Sequence, residues 1–61
     1  MTGDEKRALV AQALTERADE LACAADRIGA ENMLVGAAMR TVVDHLRGYI
    51  KYRLPFEYQE T

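Results

Sequence analysis

Apolar residues recur along the first half of the chain at the spacing of one face of an α-helix. They form a line flanked by alanines, and the line consists of Val10, Leu14, Leu21 and Ile28. Thr2, followed three residues later by Glu5, is typical of the capping box at a helix start. Gly29 is a candidate for the left-handed conformation that often ends a helix. The pattern therefore predicts a first helix over about 3–28.

The second half of the chain carries a heptad pattern, in which positions of one face alternate by four and three residues. That face consists of Val35, Met39, Val42, Leu46, Tyr49 and Arg53, and it is widened by Val43 and Ile50. Asn32 precedes the pattern as a candidate N-cap, so 29–32 reads as a short turn. We predict a second helix over about 32–54.

Pro55 is the expected stop signal of the second helix. It biases Leu54 away from helical geometry, because its ring crowds the residue before it. The remaining residues, 55–61, are predicted to form a short tail with two aromatic side chains, Phe56 and Tyr58.

The chain is short for a two-helix protein that folds alone, so we expect it to assemble. A chain of 61 residues with one cysteine lies near the lower limit for a self-sufficient core and cannot form an internal disulfide. We therefore predict an all-α fold, a single domain over 1–61 in which a two-helix antiparallel hairpin dimerises into a four-helix bundle. The expected oligomer core is Val10, Leu14, Leu21, Ile28, Val35, Met39, Val42, Leu46, Tyr49 and Ile50. Four small residues are expected to face another helix at short range, namely Ala11, Ala18, Ala25 and Gly36.

Composition narrows the classes of function. The formal net charge is −2, and the single cysteine and single histidine offer no ligand spacing for a metal. A Cys–His catalytic pair needs an activated thiolate, whereas the neighbours of Cys23 are acidic. We expect no catalytic residues, no cofactor, no metal and no enzymatic activity. The charged N-terminus and the short uncharged stretches predict a cytoplasmic protein that does not associate with membranes. The Ala- and Arg-rich composition suggests a GC-rich genome, and we expect a bacterial or phage protein.

A second, weaker apolar and aromatic strip follows the second helix away from its heptad face. The hypothetical partner-binding residues are Leu34, Thr41, His45 and Tyr52, together with Phe56 and Tyr58 of the tail. Clustered exposed aromatics are typical of interaction sites. Two readings stay open here: the strip binds a larger protein, or the tail or the dimer covers it.

The second helix also carries a basic flank, in which Arg40, Arg47 and Lys51 are spaced by seven and four residues. One reading is a solvated flank that Asp44 or the acids of a neighbouring helix neutralise. The other is a stripe that binds phosphates, which a dimer would duplicate.

The predicted layout resembles the Rop family of plasmid copy-number regulators, in which two helices joined by a short bend form a dimeric bundle. The start of the chain is also similar, with Met1-Thr2 followed by Glu5-Lys6. That resemblance implies a dimer that binds paired RNA loops through a basic and aromatic face of the first helix. The first helix here is net acidic and has no aromatic residue, so the nucleic-acid alternative depends on the basic flank of the second helix. The leading hypothesis is a homodimeric regulator or adaptor that binds a protein partner, and a structural subunit of a larger complex is a further alternative.

Overall fold

The fold is a hairpin of two packed helices. The computed structural model describes residues 2–59, and these contain helices and no strand. Helix α1 spans Gly3–Glu31 and helix α2 spans Met33–Gly48. A π-helical segment, Tyr49–Arg53, continues α2, and a 3₁₀ turn, Leu54–Phe56, follows it. The prediction of an all-helical two-helix hairpin is confirmed.

Helix α1 begins where the capping pattern predicts. The Thr2 hydroxyl accepts a hydrogen bond from the Glu5 backbone N–H at 3.2 Å, and the Thr2 carbonyl accepts from the Lys6 N–H at 3.0 Å. Asp4 and Glu5 place negative charge in the first turn, where the helix dipole favours it.

The connection between the helices is shorter than predicted. The turn expected at 29–32 is wrong, because α1 continues through Gly29 and a single residue, Asn32, joins the helices. The extended Asn32 serves both helix ends: its N–H donates to the Ile28 carbonyl at 2.7 Å, and its side-chain Oδ1 accepts from the Val35 N–H at 3.2 Å. One residue that caps both helices makes a left-handed glycine unnecessary.

The seam between α1 and α2 is built from small residues. Ala18 and Ala25 are fully buried, and Gly36 packs directly against Gly29. Val43 is the one larger residue buried in the middle of this seam. The expectation of a close helix contact is confirmed at Ala25 and Gly36, and the contact lies within the hairpin. Ala18 is buried, whereas Ala11 is half-buried.

The end of α2 differs from the prediction. Leu54 keeps helical dihedral angles, φ −55° and ψ −37°, although it precedes Pro55. Pro55 has no N–H to donate to the carbonyl four residues earlier, and its ring crowds that carbonyl. The helix widens just before it instead of stopping, so the Leu54 N–H donates to the Tyr49 carbonyl, five residues back. Leu54 is 3 % exposed, and this burial outweighs the local bias against a helical conformation.

The tail is attached to the start of α1. The Arg7 guanidinium donates hydrogen bonds to the carbonyls of Pro55 and Glu57, at 3.4 and 3.1 Å, and forms an ion pair with Asp4. Residues 60 and 61 of the predicted tail, like Met1, lie outside the described residues.

Candidate functional site

Helical spacing places the larger apolar residues of each helix on one side. We call it the apolar face; it consists of Val10, Leu14, Leu21, Ile28, Val35, Met39, Val42, Leu46, Tyr49 and Ile50. Every one of these side chains is half-buried or exposed. A shallow groove joins Leu21 of α1 to residues of α2, and its lining there is Leu34, Val35, Ala38, Met39 and Val42. Four residues predicted for an oligomer core therefore line one groove outside the small-residue seam, namely Leu21, Val35, Met39 and Val42.

The opposite side of the hairpin carries ion pairs between the helices. Arg40 pairs with Asp26, and Arg47 pairs with Asp19 at 3.2 Å. All four side chains are exposed, so each pair contributes up to about 1 kcal/mol to stability. Two of the three residues of the basic flank are thus neutralised by α1, which leaves Lys51 as its remaining cation.

The side of α2 that faces away from α1 is the outer face, and it contains Leu34, Thr41, His45 and Tyr52. All four are exposed, Leu34 to 84 % and Tyr52 to 65 %. The Thr41 hydroxyl donates to the Ala37 carbonyl at 3.1 Å, and His45 Nδ1 lies 2.8 Å from the Thr41 carbonyl. A carbonyl can only accept, so Nδ1 carries a proton in this contact. The polar atoms of this face are therefore partly satisfied by α2 itself.

An open groove of about 690 Å³ lies at the C-terminal end of the outer face. Its lining consists of Asp44, His45, Gly48, Tyr49, Tyr52 and Arg53. A Cβ atom at Gly48 would meet no packed group within 4 Å, so this position is open. The Lys51 ammonium lies 5.3 Å from the centroid of the Tyr52 ring, within the range of a cation–π contact.

Tyr49 stands between this groove and the apolar face. Partial burial raises the pKa of its phenol above the ordinary value of 10.0, and the nearby Glu57 and Tyr58 raise it further while Arg53 opposes them. The ring is therefore neutral at physiological pH, and its hydroxyl can donate a hydrogen bond to a partner.

The aromatic tail lies beside the open end of the hairpin without covering the outer face. Phe56 is 73 % exposed, and Tyr58 is exposed with a positive φ of 58°. The residue that closes this end is Leu54, which the sequence reasoning missed. The sequence contains a signal for Leu54. Gly36, Val43 and Ile50 are spaced by seven residues, and Leu54 follows Ile50 by four, which is again the spacing of one helix face.

Within residues 2–59, no three His, Cys, Asp or Glu side chains are grouped so that they could hold a metal ion. Cys23 is exposed on α1. None of the helices in the same range combines the length and the hydropathy required to cross a bilayer.

Comparison of this chain with known protein families, curated proteins and solved structures finds no match. The candidate functional surfaces of the described residues are the apolar face, the outer face with its groove, and the aromatic tail.

Proposed function

We propose that this chain is a small, non-enzymatic, homo-oligomeric regulator or adaptor. Two hairpins join their apolar faces in a four-helix bundle, and the bundle binds a larger protein through the outer face of α2 and the aromatic tail.

The observation that carries the proposal is the division of apolar residues between the seam and the apolar face. The hairpin is a single layer, with Cα extents of 48 × 16 × 10 Å, and the hydrophobic residues buried in its described part are Ala18, Ala25, Val43 and Leu54. Globular domains need at least two packed layers to enclose a core. Full burial of a Val, Leu, Ile or Met side chain stabilises by about 1.5–3 kcal/mol, and the apolar face gains this only when something covers it.

A second copy of the chain fits that requirement. The apolar face presents aliphatic side chains along both helices. The charged residue of its heptad on the second helix, Arg53, lies at the end of the line, so a two-fold axis can relate two copies without opposing arginines at the centre. The four helices then enclose one core, the arrangement that short helical chains commonly adopt.

The outer face and the tail lie outside such a bundle. Leu34, Tyr52 and Phe56 are strongly exposed in the hairpin. Leu34 also borders the groove that contains Leu21 of α1, so it lies at the edge of the apolar face. Exposed aromatic and aliphatic side chains grouped in this way are typical of protein interfaces. They support a protein as the partner.

The nucleic-acid alternative receives less support. Binding to phosphates needs unpaired cations, whereas Arg40 and Arg47 are paired with acidic residues of α1. A structural subunit of a larger complex would use the same surfaces as an adaptor. We also propose that the protein is cytoplasmic and of bacterial or phage origin.

Two measurements test the proposed function. Light scattering should give twice the monomer mass at micromolar concentration, and a folded monomer would contradict it. Affinity capture from the source cell should retain one protein in stoichiometric amount, both from nuclease-treated and from untreated lysate. The Tyr52→Ala/Phe56→Ala double variant should no longer retain that protein. Capture that disappears after nuclease treatment would favour the nucleic-acid alternative.

A further inference from the structure

Arg7 of α1 holds the aromatic tail by its backbone. Its Nη1 atom donates to the Pro55 carbonyl at 3.4 Å and to the Glu57 carbonyl at 3.1 Å, across 48 and 50 residues of sequence. Its Nη2 atom pairs with Asp4 in the first turn of α1. A guanidinium carries its donors in a rigid planar fork, so contacts at both nitrogens fix the orientation of the group. Arg7 therefore clamps the end of the described chain to the start of α1.

The two carbonyls of this clamp lie on either side of Phe56. Pro55 precedes Phe56 and Glu57 follows it, so Arg7 fixes the backbone before and after this residue. The Glu57 N–H donates to the Leu54 carbonyl at 3.0 Å and closes a turn around the same position. The Phe56 side chain itself is 73 % exposed. An exposed aromatic residue is thus held through its backbone, while its ring remains available for contact.

The clamp is shielded from solvent more than an ordinary surface contact. The Arg7 side chain is 22 % exposed, whereas that of Arg17, which pairs with Glu20 on the same helix, is 76 % exposed. Hydrogen bonds from a charged donor are stronger than neutral ones, and partial exclusion of water strengthens them further. The hydrogen bonds of Arg7 to the tail are therefore stronger than the exposed ion pair of Arg17.

The tail beyond Phe56 also has a defined conformation. Tyr58 has a φ of 58°, in the left-handed region that residues other than glycine rarely adopt. Such a conformation persists when surrounding contacts hold it. Tyr58 and Gln59 line one cleft together with Thr2 and Arg7, so the tail runs beside the first turn of α1.

We propose that Arg7 is a positioning residue of the partner-binding surface: it clamps the backbone on both sides of Phe56, so that the tail presents this ring in one conformation to an apolar pocket of the partner protein. This inference rests on the proposed function, in which the tail binds a protein. An aromatic anchor that is ordered before binding loses less conformational entropy on association. Because Arg7 binds main-chain carbonyls, the clamp does not occupy the side chains that the partner contacts.

Limited proteolysis tests the clamp without the partner. Chymotrypsin accepts an aromatic side chain in its specificity pocket, and a folded segment is cut while it is transiently open. Arg7→Ala should therefore raise the rate of cleavage after Phe56 by about tenfold or more. The matched control Arg17→Ala removes an exposed arginine of the same helix and should leave this rate unchanged. Equal rates in the wild type and both variants would overturn the inference.

Cleavage after Tyr49, in the helical part of the same molecule, reports opening of the whole fold. Its rate should change much less in Arg7→Ala than the rate after Phe56. If both rates rise by the same factor, Arg7 stabilises the hairpin as a whole and does not position Phe56, and the inference is wrong.

A double-mutant cycle on partner capture tests the positioning role. The probe is lysate of the source cell, and the readout is the amount of captured protein as the concentration of the tagged chain is varied. A residue that acts through Phe56 loses its effect when Phe56 is absent. Arg7→Ala should therefore weaken capture by about fivefold or more in the wild type and should have no further effect in Phe56→Ala. Equal factors in the two backgrounds would overturn the inference.

These measurements separate the failure of this inference from the failure of the proposed function. If the wild type captures one stoichiometric protein and Arg7→Ala captures it equally well, the adaptor proposal stands and the positioning role of Arg7 does not. If the wild type captures no protein, the proposed function fails, and the presentation of Phe56 to a partner fails with it, whatever the cleavage rates.

Discussion

Gly29 and Gly36 bring the backbones of α1 and α2 into direct contact. A Cβ atom on Gly36 would lie 2.5 Å from the Gly29 Cα and 3.2 Å from the Ala25 carbonyl oxygen, whereas a Cβ on Gly29 would lie at an ordinary 3.7 Å from the Gly36 Cα. The contact is therefore asymmetric, and only one of the two positions requires glycine.

This asymmetry predicts opposite outcomes for two similar substitutions. Gly36→Ala should destabilise the protein by about 1–3 kcal/mol, because rigid backbone atoms must move apart. Gly29→Ala should be neutral or stabilise by up to about 1 kcal/mol, because alanine is the better helix former and has room. Urea denaturation followed by circular dichroism measures both, and equal destabilisation would contradict the asymmetric contact.

The proposed bundle predicts that charge on the apolar face abolishes folding and assembly together. Leu21→Asp should cost several kcal/mol, on the order of the whole stability of a small domain, because it buries an unpaired carboxylate. The matched control is Leu9→Asp, at an exposed position of α1 outside the apolar face. Sedimentation and circular dichroism should show an unfolded monomer for Leu21→Asp and a wild-type oligomer for Leu9→Asp. A folded Leu21→Asp oligomer would place the contact elsewhere.

The end of the hairpin predicts different roles for two neighbouring residues. Leu54→Ala should destabilise by about 2–5 kcal/mol, since it removes a buried side chain that closes the open end. Phe56→Ala should change stability by less than about 0.5 kcal/mol, as is usual for an exposed position, and should weaken capture of the partner. Thermal unfolding monitored by circular dichroism compares the two. A large loss of stability in Phe56→Ala would make Phe56 part of the core.

The raised pKa of Tyr49 predicts that the folded protein loses stability at pH values above 10.0. Its pKa is raised in the folded protein, so the unfolded chain releases this proton first as the pH rises. The contribution of Tyr49 is fully present below its usual pKa of 10.0 and is lost as the pH rises through the raised value. Tyr49→Phe cannot ionise at this position. Its thermal midpoint should therefore fall less between neutral pH and pH values above 10.0 than that of the wild type, and an equal fall would contradict the effect.

Much of the candidate surface could be predicted from periodicity. The exposed strip of Leu34, Thr41, His45 and Tyr52 follows from helical spacing, because residues three and four apart share one face whatever packs around them. The groove beside it could not be foreseen, because its depth depends on an absence of neighbours around Gly48. The pairing of Arg40 and Arg47 with α1 likewise required the register between the helices.

The sequence by itself determined the two helices, the caps at Thr2 and Asn32 and the side of each helix that carries apolar residues. These features depend on hydrogen bonds and spacings within one or two turns. The tertiary structure decided the one-residue connection, the widened helix before Pro55 and the burial of Leu54. Each of these reflects packing between α1 and the end of α2, residues far apart in the chain, and that packing outweighs local preferences of about a kcal/mol.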